Sequence, residues 1–361
     1  MRRTTTTRGG KVSWRTMGQE PARAFLARSL ELGRVSHAYL LTGPANCGKT
    51  TLALDFARAL ICTGESPPCD ACPECRMLLG AGHPDVEQIE GEHDEAPEFS
   101  ALWKSGSAER PRRAVRIELV RDLIRVMATR PSQSAYRVAT LDGSMVQDAA
   151  ASALLKLFEE PAPRAVLLLR APALEALPPP IASRCQVVRL TPVPPRDIAA
   201  WLQTTIGSNA EDAATYAALA VGRPGLAQRL ATAAGGRAPL DSQIALWLEL
   251  ATADTVTRLD QAGVWSRNFP AARAALDLAA LIWHQLLQMA ANQTHAGGRP
   301  AAGVPTVAPL QTPAAERLRD TGVQVLAGQL ALIARASRLL DANVQPRLAL
   351  EWLMLELVAG P

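Results

Sequence analysis

"HAYLLTGPANCGKTTLALDFARALIC", residues 37–62, decides the fold. Residues 37–42 are a short apolar run without formal charge, the pattern of a strand buried on both faces of a parallel sheet. They feed Gly43-Pro44-Ala45-Asn46-Cys47-Gly48-Lys49-Thr50, which matches G-x-x-x-x-G-K-[ST] at every fixed position. The next eleven residues place Leu52, Phe56 and Leu60 at helical spacing. Strand, glycine-bounded loop and helix together form a phosphate grip. Backbone N–H groups at the helix N-terminus surround a β-phosphate, Lys49 brings a point charge to the β/γ oxygens, and the Thr50 hydroxyl suits Mg²⁺. Cys47, inside the loop, reads as a packing residue rather than a redox group.

Outward from this stretch, the alternation continues. "AVRIELVRDLIRVMATR" sets Ile117, Val120, Leu123, Ile124 and Met127 on one helical face. "RVATLD" (137–142) predicts a second strand ending in Asp142. A helix over "QDAAASALLKLFEE" follows, closed by Pro161, then a third strand "AVLLLRA" (165–171), and "IASRCQVVRL" enters a fourth. Strands alternating with helices predict an α/β fold with a parallel sheet covered on both faces.

Six cysteines are few for 361 residues, and Cys62, Cys69, Cys72 and Cys75 crowd into one stretch with spacing C-x6-C-x2-C-x2-C. Thiolates two residues apart in a tight turn can face one Zn²⁺, and four complete a closed tetrahedral structural site with no open position for catalysis. His83 remains an alternative to Cys62 as the fourth ligand.

The length exceeds what one core organises, so two or three domains are expected. Apolar residues at 48 % and charged ones at 20 % describe an ordinary globular chain, and scarce aromatics (4 %) beside abundant Ala, Leu and Arg favour helices. A net charge of +4 does not mark a nucleic-acid binder, although Arg2, Arg3, Arg8, Lys11 and Arg15 make the N-terminal tail basic. That tail has no apolar stretch behind it and is no secretory signal, and runs such as "AVLLLRA" are too short to cross a bilayer. The expectation is a cytoplasmic protein. Residues 91–113 are polar and read as an exposed excursion, and 292–313, rich in Gly and Pro, as a loop.

The phosphate grip, the cysteine knuckle, "GHPDV", "AAASALLKLFEEP" and "SRC", in this order and at these distances, resemble bacterial DNA polymerase III clamp-loader subunits, the γ/τ and δ′ members of the AAA+ ATPases. The resemblance covers roughly residues 14–230. It implies an AAA+ domain over 1–192 with a zinc module at about 62–85, a small helical lid over 193–236 and an all-α collar over 237–361. It assigns Gly43, Gly48, Lys49, Thr50, Thr51 and Asp142 to ATP or ADP with Mg²⁺. It also makes Arg184, in Ser183-Arg184-Cys185, an arginine finger offered in trans to a neighbouring subunit's nucleotide. The implied partners are γ/τ and δ subunits in a hetero-pentameric ring, with the sliding clamp and primer–template DNA reached through the complex in a nucleoid-associated replisome.

Three departures weigh on hydrolysis. Active members carry Glu after the strand-terminal Asp, where this chain has Gly143 followed by Ser144 and Met145. They place a Thr after the third strand, where this chain reads Arg170-Ala171-Pro172. They carry an Arg in a G-S-x-R-D-A-like turn, where Gly222-Arg223-Pro224-Gly225 lies nearer the δ′ pattern, with Arg223 shifted by position. The chain therefore reads as a δ′-type stator, which grips a nucleotide without efficiently cleaving it. A working γ/τ-type ATPase is the alternative, favoured by Lys49 and Thr50. A free-standing zinc-knuckle nucleic-acid binder would want basic and aromatic residues among the cysteines, and only Arg76 is there. Trp247, Trp283 and Trp352 fall on apolar helical faces and read as core or interface anchors. His284 and His295 are isolated and read as surface or core residues.

Overall fold

The computed structural model describes residues 14–80, 82–89, 117–143, 146, 148–233, 235–295 and 307–357. Residues 1–13, the whole of the 91–113 excursion and 296–306 lie outside the described residues, as do Ser144 and Met145 and the side chain of His295. The chain falls into two compact units divided between Val193 and Pro194.

The first unit is built on α1 (Glu20–Glu31), β1 (Ala38–Thr42), α2 (Lys49–Ile61), α3 (Pro73–Leu79), β2 (Val86–Ile89), α4 (Ile117–Met127), β3 (Arg137–Asp142), α5 (Asp148–Glu159), β4 (Ala165–Ala171), α6 (Pro179–Ala182) and β5 (Gln186–Arg189). The strands pair in parallel in the order β2-β3-β4-β1-β5. Both sheet faces are buried, which is why β1, β3 and β4 read as continuous apolar runs. One face packs Tyr39, Leu41, Val138, Val166 and Leu168 against Leu26 of α1 and Leu52, Phe56 and Leu60 of α2. The Tyr39 and Phe56 rings meet edge to face at 5.1 Å. The other face packs Leu40, Leu141, Leu167 and Leu169 against Val120 and Leu123 of α4 and Leu154 and Phe158 of α5. This is the parallel sheet covered on both faces expected from the sequence, with one strand more than the four read there. The additional strand is β2, "VEQI", which pairs with β3 at the edge of the sheet among the described residues and whose own Glu87 and Gln88 break the apolar pattern.

Beside β2 lies an anchor, the Asp of the "GHPDV" stretch, whose role the motif does not announce. Asp85 is wholly buried. It accepts N–H bonds from Ser132, Gln133 and Ser134 at 2.7–2.9 Å and pairs with Arg137 Nη2 at 3.0 Å. Burial by itself would raise this carboxyl, but the Ser132, Gln133 and Ser134 N–H groups and the Ser132 hydroxyl hold it well below the usual carboxylate range. A depressed folded value means that the carboxylate stabilises the fold above about pH 4 and that this contribution fades as pH falls below it. Asp85→Ala, which strands buried Arg137, should lower stability at neutral pH by about 3–5 kcal/mol. Urea unfolding at pH 7 and pH 3 checks both points, since the variant should lose less than the parent on acidification.

The second unit holds α7 (Pro195–Thr205), α8 (Ala210–Leu219), α9 (Pro224–Thr232), α10 (Arg237–Leu250), α11 (Thr255–Trp265), α12 (Phe269–His295), α13 (Pro313–Asp320), α14 (Val323–Asp341) and α15 (Pro346–Glu356). Trp247 stacks on Trp265 at 4.6 Å and meets Trp283 edge-on at 5.9 Å, and Trp283 Nε1 donates to Gln329 Oε1 at 2.8 Å. The Arg335 guanidinium lies 4.9 Å from the centre of the Trp352 ring. Between α13 and α14 the chain turns at Gly322, whose φ of 92° suits no ordinary side chain. Segments Phe269–Asn292 and Val323–Asp341 are long and apolar enough by composition to cross a membrane, which corrects the expectation that no run reaches that length. Their buried faces account for it otherwise. In α14, Leu326, Gln329, Ile333, Ala336 and Leu340 recur at helical spacing and pack inside the unit.

Candidate phosphate-binding loop and metal centre

The loop between β1 and α2 takes the shape its glycines permit. Gly43 has φ 150° and Gly48 φ 103°. A Cβ on Gly43 would sit 2.9 Å from the Leu190 carbonyl oxygen, so only glycine lets β5 approach here. Buried Cys47 fills the inside of the loop, and burial pushes its thiol up, which fits packing rather than redox chemistry. The Gln19 amide clamps the loop from outside. Its Nε2 donates to Thr191 O at 2.7 Å and Cys47 O at 3.3 Å, while its Oε1 accepts from Thr191 N at 2.9 Å.

Lys49 Nζ donates to Gly43 O and Pro44 O, each at 2.8 Å, so the charge is folded over the loop at the mouth of the helix. Thr50 and exposed Thr51 follow in the first turn of α2. Asp142 ends β3, on the sheet face that α2 covers, because it continues the row begun by Val138. The structure thus brings Gly43, Gly48, Lys49, Thr50 and Thr51 together and directs Asp142 to the same side.

Two features beside the loop were missed or half-read in sequence. Arg170, two per cent exposed near the end of β4, donates from Nη1 to the Thr50 hydroxyl. A charge at the end of an apolar strand was its signal. After Asp142, a Cβ on Gly143 would meet Leu177 side-chain carbons at 3.1–3.3 Å, so an additional side chain there presses on Leu177, which must give by a few tenths of an ångström.

The cysteine knuckle hangs from the far end of α2. The sulfurs of Cys62, Cys69, Cys72 and Cys75 lie within 4.8 Å of one another, with Cys62 and Cys72 at 4.0 Å. Tetrahedral thiolates about 2.3 Å from Zn²⁺ are about 3.8 Å apart, so a small contraction closes the site. Backbone N–H groups point at sulfur, from Cys72 to Cys69 at 3.2 Å and from Cys75 to Cys72 at 3.4 Å. Burial opposes ionisation of Cys72, but the Cys75 N–H and the Thr63 N–H and hydroxyl outweigh it and bring this thiol down to about 6. Burial holds Cys62 and Cys75 above their ordinary value. Gly64 is required, since a Cβ there would lie 2.7 Å from Cys69 Sγ. The alternative ligand His83 is engaged elsewhere, its Nδ1 accepting from Asp85 N at 3.0 Å. Four thiols with N–H support fit one closed, structural metal ion.

Knuckle and phosphate loop share α2 through a buried charge network that motif reading did not find. Arg58, two per cent exposed, pairs with Asp55 one turn back and with Asp70 of the knuckle. Asp55 Oδ2 also accepts from Thr16 N at 2.8 Å and Thr16 Oγ1 at 2.6 Å.

Arg184 stands apart from these groups, after α6 and before β5. Its side chain is 41 % exposed, with Nη1 on Pro180 O at 2.9 Å and Nη2 3.7 Å from Glu159 Oε1. Burial pushes the neighbouring Cys185 thiol up to about 12, which leaves it a protonated packing residue. In the second unit, Arg223 donates from Nε to Ala220 O at 3.0 Å, and its charge acts on Asp277 and His284.

Residues 18–194 match the family model described as DNA polymerase III, delta subunit. The chain is 34 % identical over 200 residues to DNA polymerase III subunit delta' of Pseudomonas aeruginosa, covering 54 % of this chain and 56 % of that one. It is 32 % identical over 190 residues to DNA polymerase III subunit gamma/tau of Mycobacterium tuberculosis, covering 52 % and 30 % respectively. A solved gamma subunit-related protein from Thermotoga maritima, 16 % identical, aligns over 92 % of this chain and 98 % of that one at a TM-score of 0.46. The chain spans about half the length of the delta' relative and under a third of the gamma/tau one. Through residues 18–194, just under half of its length, the chain is similar to DNA polymerase III subunits of the delta and delta' type.

Proposed function

We propose that this chain is the δ′ subunit of a DNA polymerase III clamp loader, a stator that grips a nucleotide, does not turn it over and offers Arg184 to a neighbour. In this reading γ/τ and δ subunits complete a pentameric ring in the bacterial cytoplasm, and the ring loads a sliding clamp onto primed DNA. Residues 193–236 act as a lid and 237–361 as the collar. One structural zinc holds the knuckle.

Gly143 carries the proposal. Phosphoanhydride hydrolysis needs a carboxylate positioned to orient the attacking water, and none follows Asp142. A Cβ at this position would press on the Leu177 side chain at 3.1–3.3 Å. Lys49 and the loop N–H groups can still bind β- and γ-phosphates, because binding uses charge and backbone donors that are present. The complete loop favours the γ/τ-type ATPase as a second reading, and one experiment separates them. ATP binding and ATP turnover are measured separately on the purified chain. Binding that Lys49→Ala weakens, with turnover at background, is expected. Robust turnover abolished by Lys49→Ala would promote the ATPase.

A further inference from the structure

We propose that the Arg170 guanidinium takes the place of the divalent cation at this phosphate-binding loop, so that the site accepts a nucleoside di- or triphosphate free of Mg²⁺. The inference rests on the nucleotide reading above and names the form of ligand that the site takes.

The resemblance assigns the metal to the Thr50 hydroxyl and the Asp142 carboxylate. Arg170 meets both positions. Its Nη1 donates to Thr50 Oγ1. In the β3–β4 ladder its Cα partner is Asp142, so in a parallel sheet both side chains leave on the same face. That face is the one covered by α2, since Val166 and Leu168 of the same row pack with Leu52 and Phe56. The side chain is two per cent exposed and cannot drift into solvent as a surface arginine does. A guanidinium keeps its proton at any working pH, so the charge is permanent.

A divalent ion set against Thr50 would contact this fixed positive charge and be repelled by it, more strongly than in water because the group is buried. Mg²⁺ therefore does not fit the residues present. An anion does. The guanidinium is planar, with donors along more than one edge, and can hold a hydroxyl on one side and a phosphate oxygen on another. Lys49 and the loop N–H groups supply the remaining countercharge. A single positive charge also offers less to a transferring phosphoryl group than doubly charged Mg²⁺ does, in keeping with a grip that does not cleave.

The test is calorimetric titration of the full, zinc-loaded chain with ADP and ATP. Buffers are freed of divalent ions on a resin rather than by chelator, which would strip the knuckle, and are used with and without millimolar Mg²⁺. The parent should bind equally well in both, and electron paramagnetic resonance should detect no bound Mn²⁺ in its ADP complex. Arg170→Ala should weaken metal-free binding by about tenfold or more, recover with Mg²⁺, and show bound Mn²⁺. Binding by the parent that requires Mg²⁺ overturns this inference and leaves the nucleotide reading intact. Binding by Arg170→Ala alone makes the arginine a plug and also overturns it. No binding by either protein, with or without metal, rejects the nucleotide reading itself and this inference with it. Should Arg170→Ala not fold, the metal dependence and the Mn²⁺ signal of the parent decide.

Discussion

Stripping the metal from residues 62–75 is expected to unfold the knuckle and loosen the helix that carries the phosphate loop. Structural zinc in small modules contributes about 10–16 kcal/mol of apparent binding free energy at neutral pH, and that energy is folding energy. Alongside Leu78 on the core and the Asp70–Arg58 pair, the knuckle is held by its sulfurs. Cys62 and Cys75 are its buried sulfurs, and its short helix α3 is capped by the Cys72 sulfur itself. Purified without chelator, the chain should carry about one zinc. Chelation or Cys72→Ser should lower the melting temperature by about 10 °C or more, as several kcal/mol would in a domain of this size. The effect should reach further than the knuckle. Without its turn, Asp70 leaves Arg58, and a buried guanidinium with one partner fewer costs stability in α2. Nucleotide binding should therefore weaken on zinc removal although no ligand touches the metal. Cys62 and Cys75 sit above their ordinary value, so binding must expel protons, and affinity should rise with pH and fail on acidification. A metal-free preparation with an unchanged melting curve would sink the structural-zinc reading.

How much of this was legible in the sequence follows from where the information lies. β1, β3 and β4 announce themselves because burial on two faces leaves uninterrupted apolar runs, and Gly43 and Gly48 because a tight loop admits nothing else. The cysteines were legible because metal ligation fixes both residue type and spacing. β2 was not, since an edge strand with Glu87 and Gln88 carries half of a strand's pattern. Nor was Asp85, whose partners lie about fifty residues away at 132–137 and share no periodicity with it. Arg58 and Asp70 are twelve residues apart and look like ordinary surface charges until the turn at Asp70 brings them together. Arg170 shows the limit most plainly. From "LLLRAP" one reads the missing hydroxyl, whereas the chemistry comes from what the strand register sets beside it. A pair across a sheet is invisible to any window along one strand.

Arg184→Ala should change nothing in the isolated chain and much in a complex. The side chain is 41 % exposed, and its one carboxylate contact, to Glu159 at 3.7 Å, is of the surface kind worth about 0–1 kcal/mol. Folding and nucleotide binding by the variant should therefore match the parent within error. The short helix α6, opened by Pro178, Pro179 and Pro180, fixes the backbone from which the arginine leaves, while its guanidinium remains loosely held. That is the arrangement a finger needs, with a rigid base and a tip free to exchange Glu159 for a phosphate oxygen on another subunit. There it would neutralise charge developing on the transferring phosphoryl group, an effect worth on the order of 10³–10⁵ in rate at one site. A reconstituted complex containing the variant should still assemble if residues 237–361 make the collar. Its ATP hydrolysis stimulated by clamp and primed DNA should fall, by far less than the single-site factor if other sites keep their own fingers. Clamp loading should fall further if the sites act in concert. Arg184→Lys tests geometry against charge, because an ammonium keeps the charge and loses the planar fork, and it should rescue little. A variant complex that hydrolyses ATP and loads clamps like the parent would make Arg184 an ordinary surface arginine, and the stator would then contribute only its shape.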